Sequence, residues 1–427
     1  MRAEILTIGD ELLRGEIVDS NKAFLSDRLF GLDIETRFHV SVGDDPADMK
    51  DAFRRAAERS DIVLVSGGLG PTRDDLTIEV LASSFGRSLE EDRASLEAIK
   101  AFFARFGREM APNNAKQASF PQGAEVLPNP IGTAPGCLLE EAGTLFFCMP
   151  GVPRELHQMM DEQVLPRIGE RLVGVEGRLV VRTALLRTFG IGESNLDADL
   201  ADIAREDGVS LSFRTAFPDN YLRPVARGAT ASEAETKLAR VCDAIRQRLG
   251  PLVYGSEAET MEEVVGRLLR EQGKTLAVAE SCTGGLVGER ITEVPGSSDY
   301  FLGGVIAYSD RVKAALLGVP ESLLLKYGAV SEPVALAMAE GARERFGADL
   351  AVSTTGIAGP GGGSDAKPVG MVWVGFSDAG ESTAQVFEFP LDRSRHRMAT
   401  AQVALDWVRR ALLGEERLAL RYLRRSR

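Results

Sequence analysis

Strand-like runs recur along this chain, and each ends in a loop of glycine, hydroxyl or carboxylate residues, in most cases before a helical pattern begins. Residues 4–9 (EILTIG), 61–65 (DIVLV), 275–279 (TLAVA) and 349–353 (DLAVS) are such runs. A strand that is apolar nearly throughout must be covered on both faces, as a parallel strand between helical layers is. The pattern restricts the chain to α/β architecture, in which ligands bind beyond the carboxyl ends of the strands. The loops after these runs are therefore where chemistry is expected.

A chain of 427 residues holds two or three domains. Over 1–168 the strands at 4–9, 38–42 and 61–65 alternate with helices at 20–32, capped by Asp19 or Ser20, and 45–59, with Pro46 in its first turn. This predicts a doubly wound α/β domain. Over 169–256 strands at 178–186, 209–214 and 221–226 and helices at about 194–204 and 232–249 predict a small α+β module without evident chemistry. Over 257–427 helices at 261–272, 332–346 and 395–412 alternate with strands at 275–279, 303–308, 349–353 and 369–376, a second α/β domain with a short basic tail.

The most chemically loaded junction is Glu280-Ser281-Cys282-Thr283-Gly284-Gly285, where a buried strand meets a helix. Ser281 can be a plain helix N-cap. It can also be a nucleophile, with Lys313 in a neighbouring helix as its base. Desolvation would make that amine neutral. The chain has three histidines, His39, His157 and His396, none in metal-binding spacing, and no G-x-S-x-G elbow. A serine hydrolase built from this sequence would not use histidine. Cys282 is read as a small packed residue rather than the nucleophile.

In the first domain, Gly9-Asp10-Glu11 follows the first strand and Ser66-Gly67-Gly68-Leu69-Gly70-Pro71-Thr72-Arg73-Asp74-Asp75 follows the third. Gly67, Gly68 and Gly70 could let backbone amides approach a phosphate, with Thr72 beside them. Asp10, Glu11, Asp74 and Asp75 could hold a divalent cation bridging phosphate oxygens. Turns and helix caps are the other reading of the same residues. The loop is not a Walker A. NPIGTAPG at 129–136 and PGVPRE at 150–155 are turn-rich, and Arg154 could meet a phosphate.

Net charge is −13, which argues against a broad nucleic-acid or anionic-membrane footprint. No apolar run approaches the roughly 20 residues of a membrane span, and the N-terminus lacks a signal-peptide core, so a cytoplasmic protein is expected. Four scattered cysteines, without C-x-x-C, argue against structural zinc or a disulfide framework.

GDELLRGE with D-S-N, SGGLGPTRDDLT, NPIGTAPG and PGVPRE resemble the N-terminal domain of the CinA (competence- and damage-inducible) family. AESCTGGL, AYSDRVKAALLGV, GAVSEPVA, TGIAGPGGG and KPVGMVWVG resemble its C-terminal domain. The resemblance implies two three-layer α/β domains, one of molybdopterin-binding (MoCF) type and one amidohydrolase, joined by a small α+β KH-like module. No GXXG clamp stands in 169–256, so RNA binding is not implied. It implies a nicotinamide mononucleotide (NMN) amidohydrolase without a cofactor, beside a metal-dependent ADP-ribose pyrophosphatase, in a homodimer.

On the family pattern Ser281 is the nucleophile, and Tyr308 and Lys313 match Y-S-x-x-x-K. Thr355 with Gly356 matches a hydroxyl position before G-I-A-G-P. Arg393 falls near a phosphate-binding arginine, with Arg395 and Arg397 close by. Backbone amides at Thr283, Gly284 and Gly285 are expected to form an oxyanion hole. Asp75, in a D-x-T pattern, is the leading acid of the first domain. A regulatory or interaction protein of the competence or damage response, with a non-catalytic nucleotide-binding domain, is the alternative.

Overall fold

A computed structural model of the protein describes residues 1–172 and 179–416. The basic tail at 421–427, and residue 178 at the start of an expected strand, lie outside the described residues. The chain divides into two compact units, Met1–Arg182 with Gly228–Ala234, and Thr183–Arg227 with Glu235 onward.

The first unit is built on a six-stranded sheet. Its strands are β1 (Arg2–Ile8), β2 (Glu35–Val42), β3 (Ile62–Ser66), β4 (Glu125–Leu127), β5 (Gly136–Glu141) and β6 (Thr144–Met149), in the order β2-β1-β3-β6-β5-β4. Side chains alternate across it. Ile5, Ile62, Leu64 and Phe147 enter one core, while Leu6, Val63, Val65 and Phe146 enter the other. That two-sided burial explains the uniform apolarity of β3. Asp45 caps the helix Pro46–Arg59 by accepting the Ala47 and Asp48 amides. A parallel sheet was expected, but β5 pairs antiparallel with both β4 and β6. The turn-rich segment at 129–136 hid that return.

The second unit holds two sheets. The smaller joins β7 (Leu186–Thr188), β8 (Val209–Ala216), β9 (Asp219–Gly228) and β10 (Val253–Ser256) in the antiparallel order β8-β9-β7-β10. The strand expected over 178–186 is broken into Val180–Thr183 and β7. The larger sheet joins β11 (Leu276–Glu280), β12 (Phe301–Ile306), β13 (Leu350–Gly356), β14 (Met371–Ser377) and β15 (Ser382–Glu388) in the order β12-β11-β13-β14-β15. Its first three strands are parallel and the last two antiparallel. Leu276 and Val278 face a core shared with the helices Met261–Gln272 and Arg393–Leu413. Ala277 and Ala279 face the helix Glu332–Phe346 on the other side. Both large sheets are thus middle layers of three-layer α/β domains, with an α+β module between them in sequence. No described helix is long and apolar enough to cross a membrane.

Candidate active site

β11 ends at Glu280, and Ser281 begins the turn beyond it, anchored by its amide to the Thr354 carbonyl at the end of β13 (2.9 Å). On the other side, the Ala307 amide bonds the Glu280 carbonyl (2.7 Å), which carries the chain from β12 past Ser281. Ser309 then caps the helix Asp310–Leu317, and Lys313 sits one turn into it. Helical side chains lean toward the helix N-terminus. Lys313 therefore reaches back to the strand ends, and its Nζ lies 3.2 Å from Ser281 Oγ.

Lys313 is 1% exposed. Its amine also contacts the carbonyls of Ala307 (2.9 Å) and Tyr308 (3.5 Å). Burial pushes its pKa down, with Asp310, 3.8 Å away, opposing that shift. A neutral amine donates two hydrogen bonds and keeps one lone pair. The two carbonyls take the donors, and the lone pair is left for the serine hydroxyl.

Ser281, Cys282, Tyr308, Asp310, Lys313, Thr355, Gly356 and Arg393 line one pocket of about 230 Å³, and none of the three histidines does. Tyr308 stands on its rim, 61% exposed, with its phenol oxygen 3.1 Å from Arg393 Nη2. The Tyr308 carbonyl lies 3.5 Å from the amine, while its ring faces Arg393. Thr355 Oγ1 donates to the Ala329 carbonyl (2.8 Å) and so holds the opposite wall. Of the three arginines near the expected phosphate position, only Arg393 lines the pocket. Arg397 donates to the Thr283 carbonyl (3.0 and 2.7 Å), and Arg395 lies 3.7 Å from Asp392.

The expected oxyanion hole is not available as drawn. Gly284 donates its amide to the Ser281 carbonyl, and Gly285 donates to Glu280 Oε2 (2.9 Å). Thr283, Gly284 and Gly285 are not among the residues that line the pocket. Cys282 follows Ser281 on the pocket wall.

Glu280 is a support of the Ser281 turn that sequence reasoning did not assign. It is 2% exposed and accepts the amides of Gly285, Val287 (3.1 Å) and Gly288 (2.8 Å), so it ties the Ser281 turn to the following helix. The available signal was a carboxylate at a strand end directly before a helix. Glu280→Gln supplies one acceptor oxygen for three donors and is expected to cost about 3 kcal/mol of stability. Urea unfolding checks this, and a midpoint equal to wild type would contradict it.

In the first unit a pocket of about 410 Å³ opens beyond β1 and β3. Gly67, Gly68, Gly70, Glu11 and Asp75 line it. Gly67 and Gly68 have φ of +106° and +67°, and a Cβ there would stand 2.2 Å from the Ile8 carbonyl oxygen and 2.1 Å from Thr77 Oγ1. Only glycine fits both positions. Asn21, Gln117 and Glu155 also line the pocket, and the sequence reading did not assign them.

Three expected residues are displaced from it. Asp10 pairs with Arg14 (2.5 Å) and accepts the Asp44 amide. Thr72 and Asp74 bond each other at the surface, and Thr72 also donates to Asp75. The four expected carboxylates do not converge. Among the described residues no group of three or more His, Cys, Asp or Glu side chains could share a metal ion. Glu11 and Asp75 remain on the pocket wall. Two carboxylates fit a cation that takes its other ligands from phosphate and water, as Mg²⁺ commonly does.

Fold and site together define a multidomain α/β protein with separate strand-end pockets in its first and last domains. The sequence model described as a probable molybdopterin binding domain matches residues 4–170. That of the damage-inducible protein CinA KH domain matches 183–255, and that of the CinA C-terminal domain matches 258–412. A CinA-like protein of Geotalea uraniireducens is 42% identical over 97% of this chain and 98% of its own. A putative competence-damage inducible protein of Symbiobacterium thermophilum is 45% identical over 97% of this chain and 99% of its own. A solved chain from Thermoplasma acidophilum, described as the protein CinA with unknown function, is 37% identical over 38% of this chain and 94% of its own, with a TM-score of 0.36. The chain belongs to the CinA family.

Proposed function

We propose that the C-terminal domain hydrolyses the carboxamide of NMN to give nicotinic acid mononucleotide and ammonia. The observation that carries this reading is the buried Lys313 amine 3.2 Å from Ser281 Oγ at the wall of a pocket. Neutral Lys313 takes the Ser281 proton as Oγ attacks the carboxamide carbon. The Cys282 backbone amide is the donor we assign to the developing oxyanion, because Cys282 lines the pocket beside Ser281. Collapse breaks the carbon–nitrogen bond, and Lys313 returns the proton to the leaving ammonia. Water, activated by the same amine, then cleaves the Ser281 ester and releases the acid. The cationic pyridinium draws electrons from the carboxamide, which makes it more electrophilic than a peptide amide. Arg393, which lines the same pocket, is the cation assigned to the phosphate in this reading. Incubation of NMN with purified protein and a chelator is expected to give nicotinic acid mononucleotide, identified by mass spectrometry. Unchanged NMN would overturn the reading.

For the N-terminal domain the proposed activity is hydrolysis of the ADP-ribose pyrophosphate. The glycine-lined pocket supports a phosphate ligand, and Glu11 and Asp75 are the residues that would hold a divalent ion. When bound, such an ion withdraws charge from phosphoryl oxygens. Asp75→Asn is expected to reduce metal-dependent ADP-ribose cleavage by ~10²-fold or more. Retained cleavage would remove Asp75 from the site.

A further inference from the structure

The amidase pocket carries two opposite full charges once Lys313 is neutral: the Arg393 guanidinium and the Asp310 carboxylate. Asp310 is the first residue of the helix Asp310–Leu317, and a carboxylate there is favoured by the helix dipole whatever the pocket binds. Its position goes beyond that need. It lies 3.8 Å from Lys313 Nζ and lines the same pocket as Ser281. A carboxylate that close to the base works against the base, because it favours the charged amine.

We infer that Asp310 recognises the positive charge of a pyridinium ring, so that Asp310 and Arg393 together select a zwitterionic pyridinium nucleotide over a neutral-ring analogue. This rests on the amidase reading of the site. A ligand whose carboxamide is at Ser281 has its ring nitrogen only a few bonds away, within Coulomb range of a group beside Lys313. Its phosphate, at the other end of the ribose, is directed to Arg393. The two charges of the ligand thus meet two opposite charges of the wall. Asp310 is 61% exposed, so water screens the attraction and its contribution is modest. Discrimination of roughly fivefold is expected at low salt, shrinking as ionic strength rises.

NMN and its reduced, dihydropyridine form make the test, since they have nearly the same shape and differ in ring charge. Binding is measured by calorimetry in the Ser281→Ala background, where no turnover occurs, with and without Asp310→Asn. Asparagine keeps the size and the helix-start preference of aspartate. The parent is expected to bind oxidised NMN about fivefold more tightly than the reduced form. Asp310→Asn should erase that preference by weakening only the oxidised ligand. Equal affinities in the parent, or equal weakening of both ligands by Asp310→Asn, would overturn the role of Asp310 and leave the amidase reading standing. Binding of neither ligand would overturn the amidase reading and this inference with it.

Discussion

Lys313→Met is expected to lower NMN deamidation by ~10³-fold or more, because it removes the amine hydrogen-bonded to Ser281 while keeping much of the side-chain volume. The same change should not destabilise the protein near neutral pH. Burial holds the Lys313 pKa below its ordinary value, so the unfolded chain binds a proton at this site more readily than the folded one. With a lowered folded pKa, the site's contribution to stability is complete above the unfolded value of about 10.4. It is lost as pH falls through the folded value. At neutral pH the buried amine is a cost accepted for catalysis, and methionine relieves it. The rate of the wild-type enzyme should rise with pH through the lowered pKa, since only the neutral amine accepts the serine proton. Lys313→Arg, charged at every accessible pH, should be inactive throughout. pH–rate profiles and thermal unfolding of the variants check these outcomes. An active Lys313→Met enzyme, or a rate that falls as pH rises over the same range, would contradict the base assignment.

Ser281→Ala is expected to lower deamidation by at least ~10³-fold, whereas Cys282→Ala should keep most of it. The two residues are adjacent on the same pocket wall, so proximity alone does not separate them. Chemistry does. Burial pushes the Cys282 thiol up to about 12, and the protonated thiol is a poor nucleophile. The lysine amine is hydrogen-bonded to Ser281, not to Cys282. Steady-state rates of the two variants decide it. A dead Cys282→Ala enzyme with an intact fold, beside an active Ser281→Ala enzyme, would reverse the roles.

The Ser281–Lys313 pair was legible because both residues follow parallel strands, and neighbouring parallel strand ends share one edge of a sheet. β11 and β12 are such neighbours, with Glu280 opposite Ile306. The glycines of the first domain were legible for the same reason. The direction of individual side chains and amides was not. The Gly284 and Gly285 amides are consumed within the turn by Ser281 and Glu280, and no spacing rule foretells that. Asp10 and Asp74 follow strands as Asp75 does, yet Arg14 and Thr72 hold them at the surface. Tyr308 matched a motif, but its carbonyl faces the amine while its ring faces Arg393, because a motif records residue identity and not which atom points inward. The antiparallel strands β4 and β5 escaped because β4 has only three residues and both flank a run of turn formers.

Ammonia release from NMN by the purified protein in excess chelator, measured beside Ser281→Ala, tests the central claim most directly. Release by the wild type, equal to the nicotinic acid mononucleotide formed and absent in the variant, is the predicted result. No release from the wild type, or the same release from Ser281→Ala, would contradict it.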